Sequence, residues 1–162
     1  MLLLTQAAAL APPDCSLLGS LVLPGSGQLV VVAGGGRDLS WPSELIATHL
    51  LRATRGRLVQ ALLHGAARGA DQAIAAAADQ LGWPQIACSA AWREHGRAAG
   101  PIRNRQMLER SLDLLAALPM GAGLLVIGFP GSRGTASLLD QARRFSRRSA
   151  IPIEVLQIPH AA

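Results

Sequence analysis

The residues best suited to chemistry lie in four runs rich in glycine, arginine and small polar side chains. The most concentrated is Gly128-Phe129-Pro130-Gly131-Ser132-Arg133-Gly134-Thr135, which sits between an apolar run at 124–127 and a helical pattern that begins near Ala136. A glycine-rich turn between a strand and a helix suits an anion. Glycine lets the backbone approach closely, and the first helical N–H groups lack intrahelical partners. Thr135 adds a hydroxyl and Arg133 a positive charge, so a phosphate or sugar phosphate is the natural guest. The plainer alternative is a strand–helix connection with Thr135 as its N-cap.

The run His64-Gly65-Ala66-Ala67-Arg68-Gly69-Ala70-Asp71 places two glycines, an arginine and an acid at another strand-to-helix junction. Read functionally, its backbone amides surround a phosphate or ribose while Arg68 and Asp71 make polar contacts; read plainly, Asp71 complements the helix dipole. His64 has no second histidine or acid at metal spacing nearby, so no metal is expected. Gly34-Gly35-Gly36-Arg37-Asp38 also fits a phosphate. It is neither G-x-G-x-x-G nor a Walker A motif, which argues against ordinary dinucleotide cofactors and P-loop hydrolysis. Arg37 and Asp38 equally suit a local ion pair. Residues 92–107 form the densest polar stretch, from Trp92 to Met107. Arg103 and Asn104 fall near the start of a helix and point toward a site, with Met107 packing inward a turn later. Guanidinium groups bind phosphate bidentately, and asparagine pairs with a base edge or a sugar hydroxyl. Arg105 and Arg110 fall on solvated faces. Glu94 and His95 are the nearby candidates for acid–base work. With no Ser-His-Asp order, paired-carboxylate motif or HExxH, the sequence assigns no catalytic residue and no cofactor.

These runs need a scaffold, and the apolar pattern supplies one. Strands are expected at 28–33, 58–63, 85–89, 124–127 and 151–158. Helices are expected at 41–53 (Ser40 as N-cap), from Asp71 to Leu81 (Gly82 just beyond), from Pro101 to about Leu115, and to about Arg148. Alternating strands and helices predict an α/β, three-layer fold, with a mainly parallel central sheet and helices on both faces. Each polar run follows a strand, and ligands of such sheets collect at the strands' carboxyl ends. Residues 1–28 are expected to be an N-terminal extension, in which 17–23 suit a further strand, and residues 29–162 the domain.

The 162 residues carry a net charge of +5, and all fifteen basic residues are arginine, which favours anionic partners. The few aromatics form no interleaved stacking series, so a small anionic ligand ranks above nucleic acid as partner. Cys15 and Cys88 make no metal-binding or CxxC pattern. No stretch reaches the ~18 uninterrupted apolar residues of a membrane span. The apolar start lacks a basic leader region and is broken by Thr5 and Gln6, so a cytoplasmic protein is expected.

Together the four runs resemble the signatures of the YspA-type, cpYpsA-related branch of the SLOG superfamily, in matching order and spacing over roughly residues 29–158. The resemblance implies a Rossmann-like fold and a sensor or processor of nucleotide-derived ligands, with homodimerisation common among relatives. The superfamily includes the LONELY GUY phosphoribohydrolases and the DprA mediators that bind single-stranded DNA. In the hydrolases an Arg-Lys-x-x-Met segment and a Pro-Gly-Gly-x-Gly-Thr-x-x-Glu segment supply a catalytic arginine and glutamate. Arg103-Asn104-Arg105-Gln106-Met107 and Pro130 through Leu138 stand in those places here. Arg103 matches the arginine, but Leu138 stands where the glutamate belongs, and leucine moves no proton. Asp140, two residues on, lies ~200° round the helix. The resemblance thus favours binding of a nucleotide-like ligand by Gly34, Gly35, Gly36, Arg37, His64, Gly65, Arg68, Gly69, Asp71, Trp92, Arg103, Asn104 and the Pro130-Gly131-Ser132-Arg133-Gly134-Thr135 turn. A hydrolase acting on an N-glycosidic or phosphoester bond, or a DprA-like binder of single-stranded DNA, are the alternatives.

Overall fold

In a computed structural model that describes residues 27–160, three apolar runs lie side by side as the buried centre of a sheet. They are β1 (Gln28–Gly34), β2 (Leu58–His64) and β4 (Gly123–Gly128), and each is followed by a helix: α1 (Ser43–Thr54), α2 (Ala70–Leu81) and α5 (Arg133–Ser146). The short β3 (Gln85–Ala87) leads through α3 (Trp92–His95) and a 3-10 turn (Gly96–Ala98) into the long α4 (Ala99–Ala116). The last strand is β5 (Ile153–Gln157). All pairings are parallel, in the order β3-β2-β1-β4-β5.

Strand side chains alternate between faces, and each face of β1 feeds a separate core. Leu29, Val31 and Ala33 meet Ile46 and Leu50 of α1 and Ile74 and Ala78 of α2. Val30 and Val32 meet Met107 and Leu108 of α4 and Leu138 and Leu139 of α5. This is the three-layer, Rossmann-like α/β arrangement that the pattern predicts, with a sheet that is wholly parallel. The edge strands β3 and β5 are only partly covered.

Several boundaries differ from the sequence pattern. Helix α1 starts at Ser43 rather than Trp41, because Pro42 takes the N-cap position (φ −65°, ψ 150°). A proline disfavours helical backbone at the residue before it, which excludes Trp41; the Pro42 carbonyl instead accepts from the Leu45 and Ile46 amides. Helix α5 begins at Arg133, with Ser132 in the N-cap position, so Thr135 is its third residue and not its cap. The Ala136 N–H closes that first turn onto the Ser132 carbonyl at 3.0 Å. The polar connection before α4 is itself partly helical, and Pro101 falls at the third position of α4, where its missing N–H has no intrahelical partner to lose. The strand expected at 17–23 lies outside the described residues. Among those described, no helix is long and apolar enough to cross a membrane.

Candidate functional site

The neighbouring strands β1 and β4 send their chains to opposite faces: β1 leads to α1, on the face shared with α2, and β4 leads to α5 on the other. Their loops diverge at the carboxyl edge and leave a crevice, the place where open parallel sheets bind ligands. A cavity of about 730 Å³ opens there. Its floor is stitched by main-chain hydrogen bonds between loops. The Gly36 N–H donates to the Pro130 carbonyl (2.9 Å), Phe129 N–H to Gly34 (2.8 Å) and Ala70 N–H to Gly36 (3.0 Å). Such close approach explains the glycines. A Cβ on Gly35 would lie 2.6 Å from that of Ala70 and 2.9 Å from that of Phe129. Gly69, with φ +74°, faces the Arg37 carbonyl so closely that any side chain would overlap it.

The β4–α5 turn forms one wall. Thr135, in the first turn of α5, is only 8 % exposed, and its Oγ1 has no hydrogen-bond partner among the described residues. A Cβ on Gly131 would collide with that hydroxyl, so only glycine lets the turn pack this closely against it. A helix start adds positive potential and free amides. Five arginines line the cavity (37, 68, 97, 103 and 133) against two aspartates, Asp38 and Asp71. Arg68 pairs with Asp38 at 3.3 Å where both are exposed, and the Arg37 guanidinium lies 4.6 Å above the Trp92 ring. Arg97 and Arg133 have no carboxylate partner among the described residues. The excess of positive charge calls for an anionic guest.

The opposite wall is built on Asp71, which is buried, and Arg103, whose side chain is 14 % exposed. Asp71 Oδ2 accepts the Ala67 N–H at 3.1 Å and lies 3.9 Å from Arg103 Nη1, while Oδ1 has no partner among the described residues. Burial pushes the Asp71 carboxyl above its ordinary range, against the opposing pull of the Ala67 amide and the Arg103 charge. Burial also lowers Arg103, which Asp71 partly offsets. Arg103 donates to the Gly65 carbonyl and, through Nε, to Asn104 Oδ1 at 3.1 Å. Asn104 Nδ2 in turn donates to the Gly134 carbonyl at 3.1 Å. This chain of bonds ties α4 to the β2–α2 loop on one side and to the first turn of α5 on the other.

Sixteen of the eighteen residues singled out from the sequence line this one cavity. The other two, His64 and Gly69, stand behind its wall. His64 is buried, with Nε2 against Gln85 Oε1 at 3.1 Å and Nδ1 accepting the Ala66 N–H at 3.2 Å, so both ring nitrogens serve the fold. Asn104 lines the cavity with both polar ends engaged by protein and acts as a brace. Glu94 and His95 face solvent and do not line the cavity. Leu138 is buried in the wall, so the place where the phosphoribohydrolases carry glutamate is apolar. Arg97, Ser137 and His160 also line the cavity and were not foreseen. Arg97 stood within the dense polar run, and the position of His160 just past β5 was the available signal.

A family model, that of the YspA, cpYpsA-related SLOG family, matches residues 29–95. The match spans β1 to α3 and carries two of the cavity's loops; Arg103 and the β4–α5 turn lie beyond it. No match was found among curated proteins or among solved structures.

Proposed function

Taking as premise that residues 29–95 match the model of the YspA, cpYpsA-related SLOG family, we propose that the chain binds a nucleotide or nucleotide-derived phosphate ligand at the carboxyl ends of β1, β2 and β4. The observation that carries this reading is the buried hydroxyl of Thr135 at a helix start, which has no partner among the described residues. A buried hydroxyl without a partner is costly. A phosphate oxygen supplies one, while the amides of the turn and the guanidinium groups of Arg133 and Arg97 neutralise its charge. Trp92, half-exposed in the cavity lining, carries the Arg37 guanidinium over its ring, and a base that displaces Arg37 would find there an aromatic face of the kind on which bases stack. In this reading the ligand is held and sensed rather than cleaved. Leu138 leaves no acid at the position that would stabilise an oxocarbenium-like centre, and Glu94 and His95 lie outside the cavity.

Mass spectrometry of small molecules that co-purify with the protein tests the proposal, together with a nucleotide-binding panel. A phosphate-bearing, nucleotide-like species is expected with the wild type and is expected to be lost from Arg133→Ala. Absence of any such species, with no binding across the panel, overturns it. A steep fall in affinity for single-stranded DNA with rising salt would instead favour a nucleic-acid binder.

A further inference from the structure

We propose that Asp71 accepts a hydrogen bond from a sugar hydroxyl of the ligand, so that the cavity selects nucleoside phosphates that carry that hydroxyl over analogues that lack it. The inference deepens the nucleotide reading above and rests on it. Two buried polar atoms in the cavity wall lack partners among the described residues, Thr135 Oγ1 and Asp71 Oδ1. They belong to helices on opposite faces of the sheet, α5 and α2. Their chemistries differ. The Thr135 hydroxyl stands at a helix start among arginines, where an anion is stabilised. A carboxylate repels phosphate and calls for a donor.

The Asp71 carboxylate is also held in place. Its Oδ2 accepts the Ala67 N–H, and Arg103, fixed by Gly65 and Asn104, lies 3.9 Å away. At 4 % exposure, Asp71 has little freedom to turn Oδ1 elsewhere. A ligand that satisfies both orphan atoms therefore carries an anion at one end and a hydrogen-bond donor at the other. In a nucleoside 5′-phosphate the donors covalently nearest the phosphate are the ribose hydroxyls, ahead of any amine on the base. A cavity of about 730 Å³ accommodates such a molecule.

Isothermal titration calorimetry on the full chain decides the matter. The probes are the four ribonucleoside 5′-monophosphates, each beside its 2′-deoxy and 2′,3′-dideoxy counterpart. For the wild type, removing the hydroxyls is expected to weaken binding about 10- to 100-fold, the range for a hydrogen bond to a charged acceptor. In Asp71→Ala that gap is expected to collapse to within about threefold. Asp71→Asn keeps an acceptor for the Ala67 N–H and is the variant that folds if the alanine does not; it is expected to show an intermediate gap. Equal affinity of the wild type for hydroxylated and dideoxy probes overturns the assignment and leaves the phosphate site standing, as does affinity that follows the base and ignores the sugar. A gap that persists undiminished in both variants also overturns it. Failure of every probe to bind the wild type removes the nucleotide reading itself, and the assignment with it.

Discussion

At Thr135 the proposed ligand contact and the stability of the fold make opposite demands on one side chain. Its hydroxyl is buried without a partner among the described residues, and a methyl group of the same size would sit there at no such cost. Thr135→Val is therefore expected to leave stability unchanged or raise it by up to about 1 kcal/mol. The same substitution is expected to weaken binding of a phosphate-bearing probe at least about tenfold. Urea unfolding and calorimetry on one preparation read both effects, and a variant that binds as well as the wild type removes Thr135 from the site. The residue types around it were legible in the sequence, because glycine, threonine and arginine between a strand and a helix carry an anion-binding signature. That the hydroxyl is the third residue of α5 and not its cap was not legible. Ser132 and Thr135 are both competent caps, and only the path of the chain from Pro130 chooses between them.

At the scale of the element, the glycines of the loops separate into two kinds that look alike in the sequence. Gly69 precedes α2 with φ +74° and abuts the Arg37 carbonyl, so it is required both for its backbone conformation and for its lack of a side chain. Gly134 lies inside the first turn of α5, with nothing within 4 Å of where a Cβ would stand. Gly69→Ala is expected to cost about 1–3 kcal/mol from the backbone strain alone, with the carbonyl overlap added. Gly134→Ala is expected to stabilise by a few tenths to about 1 kcal/mol, since alanine gives up less backbone entropy in a helix. Denaturant midpoints of the two variants, side by side, check both signs; a stabilised Gly69→Ala would contradict the geometry. The start of α1 teaches the same lesson. Its apolar spacing extends back to Trp41, yet Pro42 overrides that spacing locally.

For the molecule as a whole, two carboxyls make opposite contributions to stability as pH changes. The hydrogen bond from Arg57 holds Glu154, on β5, below the ordinary carboxylate range. The stability this adds is present at neutral pH and lost as pH falls through the folded-state value. Glu154 is 46 % exposed and the pair is screened, so Glu154→Gln is expected to cost less than about 1 kcal/mol and to soften the acid limb of the stability curve. Asp71 behaves in reverse. Burial raises its carboxyl above the ordinary 3.8, so the folded chain holds a proton that the unfolded chain has released, and stability drains away as pH rises through that interval. Asp71→Asn is expected to flatten that decline. Unfolding midpoints measured across pH distinguish the two, and identical profiles for Asp71→Asn and wild type would refute the burial account.

The sequence by itself determined the class of fold, the alternation of strands and helices, and the four polar runs that follow strands. Those features are written locally, in apolar runs of strand length, helical spacing, and glycines at the turns. It also determined that residue 138 is not an acid, which needs no structure to see. Only the tertiary structure decided which polar residues share a cavity and which hold the walls apart. His64 and Glu94 lie in runs as promising as those of Asp71 and Arg103, yet one is consumed by Gln85 and the Ala66 amide and the other faces solvent. The pairing of Asp71 with Arg103 spans the β2–α2 junction and α4. It exists because parallel strands bring distant loops to one edge, where the other carboxylate oxygen of Asp71 has no partner among the described residues. Local pattern cannot record that arrangement, since each residue's role is set by what the fold places opposite it.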